Sequence, residues 1–151
     1  MRLTRAGEYA VRCAFCMAQK GEGEIVSRQE IAECGDIPSH FLAKIAQQLA
    51  HAGIIEILQG ARGGYRLLVH PDQLTLLDVV EAIIGEIFLN DCVSRPESCH
   101  ASPACTINSV WMKARDQLRQ TLREVTFGKM LQDKSCCVMP GQLKRQGELQ
   151  E

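Results

Sequence analysis

The sequence predicts a mainly α fold with a small β wing: a winged helix-turn-helix followed by a long C-terminal dimerisation helix. Three observations predict it. Two helical patterns meet at a Gly-containing turn around Cys34-Gly35-Asp36-Ile37-Pro38. The apolar period then changes from helical to extended on both sides of a glycine-rich tip, Gln59-Gly60-Ala61-Arg62-Gly63-Gly64. Finally, a long amphipathic stripe runs from Thr106 to Gln132.

Each element follows from local signals. Thr4 is a cap for a helix over about residues 5–19, with Ala10, Val11, Ala14, Phe15, Met17 and Ala18 on a broad apolar face. Ile25-Val26 is a short apolar step, open to an extended reading. Ser27-Arg28-Gln29-Glu30 reads as a capping box, and Gly35 suits a left-handed stop to the short helix it opens. Ser39 is the expected cap of a third helix carrying Phe41, Leu42, Ile45, Leu49 and Ala52, with Gly53 ending it. Residues 54–58 and 65–69 read as the two strands of the wing. Pro71 closes this unit, which spans residues 1–70. Thr75 caps a connecting helix within 71–90, rich in Leu, Val and Ile. Residues 91–105 are a loop rich in Cys, Ser and Pro. Residues 106–132 are expected to form one dimerisation helix with Ile107, Val110, Trp111, Ala114, Leu118 and Leu122 on its stripe. At ~1.5 Å per residue that helix would be ~40 Å long, more than a small domain buries alone, so a second copy is the expected partner. The polar tail, 133–151, is expected to be disordered.

Composition bounds the function. The chain has 151 residues, 46% of them hydrophobic, which is normal for a folded domain. Its longest apolar stretches are broken by charge, and the amino terminus lacks the apolar core of an export signal, so a cytoplasmic address and no membrane partner are expected. Total charge is −1, but it is graded. Residues 1–70 hold 8 basic and 7 acidic residues, residues 71–112 hold 1 and 6, and residues 113–151 hold 8 and 5. An acidic middle excludes that third as a nucleic-acid surface. No catalytic set is present: there is no phosphate loop, nucleophile elbow or paired carboxylates on one element, and Gly60-x2-Gly63-Gly64 precedes a strand where a phosphate cradle needs a helix. The chain does not read as an enzyme.

Eight cysteines are many for this length: Cys13, Cys16, Cys34, Cys92, Cys99, Cys105, Cys136 and Cys137. Cys92-x6-Cys99-x5-Cys105 is the strongest signal, because three thiols on a short polar loop can converge on one centre. The spacing is not that of a zinc ribbon and suits an iron–sulfur cluster of two or four irons, which normally takes four ligands. Cys13 and Cys16 sit among apolar helix positions and read as core thiols, as does Cys34. Cys136-Cys137 reads either as a labile thiol pair or as exposed residues. Glu8, in the first helical turn, suits the helix dipole. For nucleic acid, the third helix offers Ser39, His40, Lys44, Gln47 and Gln48, and the hairpin tip offers Arg62, at positions suited to base edges and phosphates of a double-stranded operator.

Together these residues resemble the family of iron–sulfur winged-helix transcription regulators that includes IscR, NsrR and RirA, and most of all its NsrR-like branch. The resemblance covers about residues 1–132. It rests on Met1-Arg2-Leu3-Thr4 with Gly7 and Tyr9-Ala10, and on Phe41-Leu42-x2-Ile45-x3-Leu49-x2-Ala52-Gly53. The wing Gly63-Gly64-Tyr65-x-Leu67, the helix with Asp78-Val79-Val80, and Cys99-His100-Ala101-Ser102-Pro103-Ala104-Cys105 complete it. It implies a homodimeric repressor that senses nitric oxide, redox state or iron or iron–sulfur status through a cluster on Cys92, Cys99 and Cys105. The IscR-like members place a His three residues after the last cysteine, where this chain has Asn108; the NsrR-like members use an acidic residue near the start of the first helix, contributed by the partner subunit, and Glu8 matches that place. The resemblance therefore implies Glu8 as the fourth ligand. His100, a small thiol or water, and Cys136 or Cys137 are the competing candidates. Two other function classes remain open at this point: a cluster-free regulator with a thiol switch, and a small metal or redox carrier.

Overall fold

The computed structural model describes residues 3–133 and 139–143. Helix α1, Arg5–Lys20, starts where the Thr4 hydroxyl accepts the Gly7 amide at 3.1 Å. Strand β1, Ile25–Val26, leads into α2, Arg28–Gly35, through the capping box formed by Ser27 and Glu30. Helix α3 is Ser39–His51, and β2, Ile55–Leu58, and β3, Gly64–Leu67, form the wing. The sheet has three antiparallel strands, one more than the hairpin expected, in the order β1-β3-β2. Val26 pairs with Tyr65, and Ile57 meets Tyr65 from the other side. A Cβ on Gly63 would collide with the Leu58 carbonyl oxygen, and one on Gly64 with that of Val26, so both positions require glycine for close backbone approach.

Two caps differ from expectation. Gly35 is the last residue of α2, buried so closely that a Cβ would lie 2.7 Å from the Ile37 Cδ1, and Asp36 takes the left-handed conformation with φ 50°. Asp tolerates that region because its short polar side chain bonds locally. Ser39 is already helical; Pro38 precedes it and offers no side-chain cap.

Helix α4, Leu76–Ile84, is capped by Thr75 and Asp78 in a second capping box. A one-turn helix α5, Asp91–Ser94, and two 3-10 turns carry the chain to α6, Thr106–Glu124. The single helix expected over 106–132 is in fact two. Val125 is extended, and its carbonyl accepts the Leu76 amide at 2.9 Å. Thr126 bridges to Thr75 and caps a new helix, α7, Phe127–Gln132, accepting the Lys129 amide at 3.1 Å. Burial of Phe127 drives the break. Its ring is fully enclosed, its amide donates to the Leu74 carbonyl at 3.0 Å, and the Gly128 amide donates to Pro71 at 2.8 Å. A continuous helix could not satisfy these bonds.

The larger of two hydrophobic clusters among the described residues joins the helix-turn-helix, the wing, α4 and α7. Ala10, Cys13, Ala14 and Met17 of α1 pack with Ile31 of α2, Leu42, Ile45 and Leu49 of α3, Ile55, Tyr65 and Leu67 of the wing, Val79 of α4 and Phe127 of α7. Leu77, Val80 and Ile87 form a smaller cluster against Leu118 and Leu122 of α6. Arg119 adds a polar clamp, reaching Glu81 at 2.9 Å and Glu86 at 3.1 Å. The tail was expected to be disordered throughout; residues 139–143 instead make one helical turn over α2, with Gly141 buried against the Glu33 carbonyl. Cys136 and Cys137 lie outside the described residues. Among the described residues, no helix is long and apolar enough to cross a membrane.

Phe127→Ala should lower the urea-unfolding free energy by about 3–5 kcal/mol, the cost of emptying an enclosed aromatic site. A change below about 1 kcal/mol would place Phe127 on a surface helix and restore the continuous-helix arrangement.

Candidate nucleic-acid interface and cysteine loop

The core-facing side of α3 holds Leu42, Ile45, Ala46 and Leu49, so the helix must turn its other side outward. Ser39, His40, Lys44, Gln47 and Gln48 are all exposed there, and Arg62 is exposed at the wing tip. The His40 ring lies 4.6 Å from that of Phe41, which in turn sits 5.3 Å from Tyr9 of α1. This stack ties the start of α3 to α1.

Sequence reasoning missed Arg28. Its guanidinium lies 5.8 Å over the Tyr65 ring. With Ser39, Leu42 and Ala43 it borders a recess of about 360 Å³ where the first turns of α2 and α3 meet. One signal could have found it: a cation in the first turn of a helix opposes the dipole, and a residue that breaks a local rule invites another role.

The cysteine loop is built from turns. Cys92 lies in α5, Cys99 between the two 3-10 turns, and Cys105 just before α6. The Ser102 amide donates to the Cys99 carbonyl at 3.1 Å, and the Cys105 amide to the Ser102 carbonyl at 3.4 Å. Asn108 is buried in the first turn of α6, and its Nδ2 donates to the Cys92 carbonyl at 3.1 Å. The residue that replaces a ligand in the IscR-like pattern thus fastens the loop to the long helix. All three thiols are free; Cys99 is exposed, and Cys92 and Cys105 are half-buried.

The structure gathers these thiols on one segment but not into one coordination sphere: among the described residues, no three His, Cys, Asp or Glu side chains are close enough together to hold a metal. Glu8 stands apart on α1, bound to Arg12, and His100 is exposed beside Cys99. The donor chemistry nevertheless fits iron, because three soft thiolates are its usual protein ligands in clusters. The Ser102 hydroxyl, buried between Cys99 and Cys105 with no hydrogen-bond partner, fits too, as a donor available to a cluster sulfur.

The other cysteines divide differently from the expectation of core thiols. Cys13 is fully buried and free, and burial pushes its thiol from 9.0 up to about 12. Cys16 is buried but forms a disulfide with Cys34, Cα to Cα 6.2 Å. Their pairing was hidden because cysteine count and spacing do not fix connectivity.

A winged helix with an outward polar face on α3, joined to a long second helical unit, is the architecture of a class of DNA-binding transcription regulators. The comparisons with known proteins agree. The family model Rrf2, described as an iron-dependent transcriptional regulator, matches residues 3–133, and the chain belongs to that family. It is 32% identical over 132 residues to protein aau3 of Rhizobium meliloti, covering 87% of this chain and 85% of that one. It is 28% identical over 127 residues to the HTH-type transcriptional regulator NsrR of Shouchella clausii, covering 83% and 85%. Among solved structures, the IscR of T. potens superposes with a TM-score of 0.68 at 25% identity, covering 88% of each chain. CymR, the global cysteine regulator of B. subtilis, superposes with 0.69 at 23% identity, covering 86% and 95%, a likeness of fold. The family is one of transcriptional regulators, not enzymes, and membership in it sets aside the metal or redox carrier.

In the native protein at pH 8, iodoacetamide should label Cys99 readily and leave Cys13 untouched until unfolding. Cys13 also makes stability pH-dependent. The folded thiol keeps its proton to about pH 12 and the unfolded one releases it near 9, so its contribution is intact below pH ~9 and falls as pH rises above that. Rapid native labelling of Cys13 would contradict its burial.

Proposed function

We propose that this chain is a homodimeric, operator-binding repressor whose affinity for double-stranded DNA is set by an iron–sulfur cluster on Cys92, Cys99 and Cys105, with Glu8 of the partner subunit as fourth ligand. Nitric oxide, redox state or iron–sulfur supply is the signal. The observation that carries the reading is the set of three free thiols on one loop that Asn108 fastens to α6. When bound, the cluster supplies a centre reactive to nitric oxide and oxygen.

The chain's own residues supply the coupling. Arg12 binds the Glu8 carboxylate and also donates to the Gly35 carbonyl at 3.3 Å, at the turn between α2 and α3. Glu8 cannot serve a metal fully and hold Arg12 fully, so ligation at Glu8 competes with the contact that steadies the helix-turn-helix. Carboxylate is a harder ligand than thiolate, which makes this the labile corner of the site.

A second copy is the proposed partner for α6. The expected stripe is divided: Leu118 and Leu122 pack within the chain, whereas Ile107 is 63% exposed, Val110 55% and Trp111 37%. Next to Leu118 and Leu122 lies an apolar recess of about 330 Å³ edged by Leu3, Val11, Val80 and Ile84. An exposed apolar run of this kind marks an interaction surface, and a two-fold operator needs two joined recognition helices.

Three experiments test the reading. Protein purified without oxygen should show visible absorption and iron. Cys99→Ala should lose both, and Glu8→Ala should keep iron but bleach faster in air; full absorption and iron in Cys99→Ala would end the cluster assignment. Lys44→Ala and Arg62→Ala should each weaken binding to all duplexes and flatten the salt dependence by about one unit. An unchanged slope in the double variant would put the DNA surface elsewhere. Trp111→Asp should convert dimers to monomers in light scattering, and a fully dimeric variant would reject the α6 interface.

A further inference from the structure

We infer that Cys16 and Cys34 form an oxidisable dithiol site that exchanges with low-molecular-weight disulfides, separate from the cysteine loop. The two residues join α1 to the last turn of α2. They border a recess of about 350 Å³, together with Gln19, Lys20, Glu30 and Gln142. The recess mixes polar and apolar lining, Val26 included, and is of a size for a small thiol. Gln19 Oε1 lies 3.6 Å from the Cys34 sulfur, and Gln142 Nε2 lies 3.4 Å from that same oxygen. The Lys20 ammonium stands at the edge of the recess, 3.7 Å from Glu30.

Accessibility assigns the roles. Cys34 is half-exposed, and Cys16 is 3% exposed. In oxidation, the Cys34 thiolate attacks one sulfur of a small disulfide, forms a mixed disulfide and releases one small thiolate. Cys16 then gives up its proton and attacks the Cys34 sulfur, expelling the second small thiolate. Two protein thiols are oxidised and one small disulfide is reduced to two thiols, which take up the two protons. Reduction reverses the order, with the small thiol entering at Cys34. Cys13, fully buried, is closed to the reagent although only three residues from Cys16.

The position gives the exchange a consequence. Cys34 is two residues from Asp36, whose left-handed backbone turns the chain towards α3. With the bond made, this turn is fixed covalently to α1. With the bond open, the Arg12 contact to Gly35 and the packing of Ile31 and Ile37 hold it. Redox state thereby sets the stiffness of the support beneath the recognition helix, a signal independent of the metal.

The test equilibrates the full chain, without oxygen, in graded ratios of glutathione disulfide to glutathione. Free thiols are trapped with iodoacetamide and cross-links are mapped by peptide mass spectrometry. Wild type should accumulate the Cys16–Cys34 peptide as the ratio rises. The oxidised form should melt about 5–10 °C higher than the reduced form, as expected for a cross-link closing an 18-residue separation. Amide exchange of residues 28–36 should be slower when oxidised. In Cys16→Ala, glutathione should remain attached at Cys34. Cys34→Ser, a change at a half-exposed side chain, should melt at one temperature whatever the ratio and leave Cys16 free of glutathione. Cross-linking of other cysteines in preference to this pair, a free Cys34 in Cys16→Ala, or equal melting of oxidised and reduced wild type would each overturn the inference.

Discussion

Enclosure of α1 constrains everything else, because this one helix is the common wall of the DNA-reading unit and the helical unit behind it. Ala10, Cys13 and Ala14 have no exposed surface, and Met17 has 1%. Small side chains at 10 and 14 let α3 and α4 approach, and Gly7 lies so close to Leu3 that a Cβ would meet its Cδ1 at 2.8 Å. Burying a helix on several sides removes much apolar area from water, at about 25 cal/mol per Å². It also denies α2 and α4 independent movement, so a displacement at one end of α1 must be taken up by both.

The residues that connect these units sit in order along α1. Glu8 and Arg12 face the α2–α3 turn through the Arg12 bond to Gly35, and Cys16 reaches Cys34 one turn further on. Tyr9, stacked on Phe41, ties the same helix to the start of α3. The proposed cluster acts at the first of these points and the dithiol at the last. Two chemistries thus converge on a single mechanical element, the turn that aims α3.

Much of the fold was legible because its signals are local. Thr4, Ser27 with Glu30, and Thr75 each announced a helix start that the structure shows, and the outward face of α3 followed from the spacing of Leu42, Ile45 and Leu49. The misreadings have a common cause in tertiary contacts. Val125 and Thr126 continue a helical pattern on paper, yet the enclosure of Phe127 and the bonds to Leu74 and Leu76 interrupt it. The third strand, β1, is only two residues long and exists because β3 pairs with it. The Cys16–Cys34 bond joins two helices and leaves no spacing rule to read. Of the candidate site, the three loop cysteines and the exposed side of α3 could be singled out by residue type and position, whereas the Arg28–Tyr65 contact and the clamp made by Asn108 became visible only with the fold.

The central claim is that the loop of Cys92, Cys99 and Cys105 and the DNA-reading face are thermodynamically coupled through α1. The most direct measurement is the affinity of oxygen-free protein for an operator selected by that protein from a random duplex pool, at fixed salt, before and after nitric oxide. The account predicts a loss of about tenfold or more, a coupling of about 1.4 kcal/mol, absent in Cys99→Ala. An affinity that is the same before and after, in protein whose visible absorption has been bleached, would contradict it.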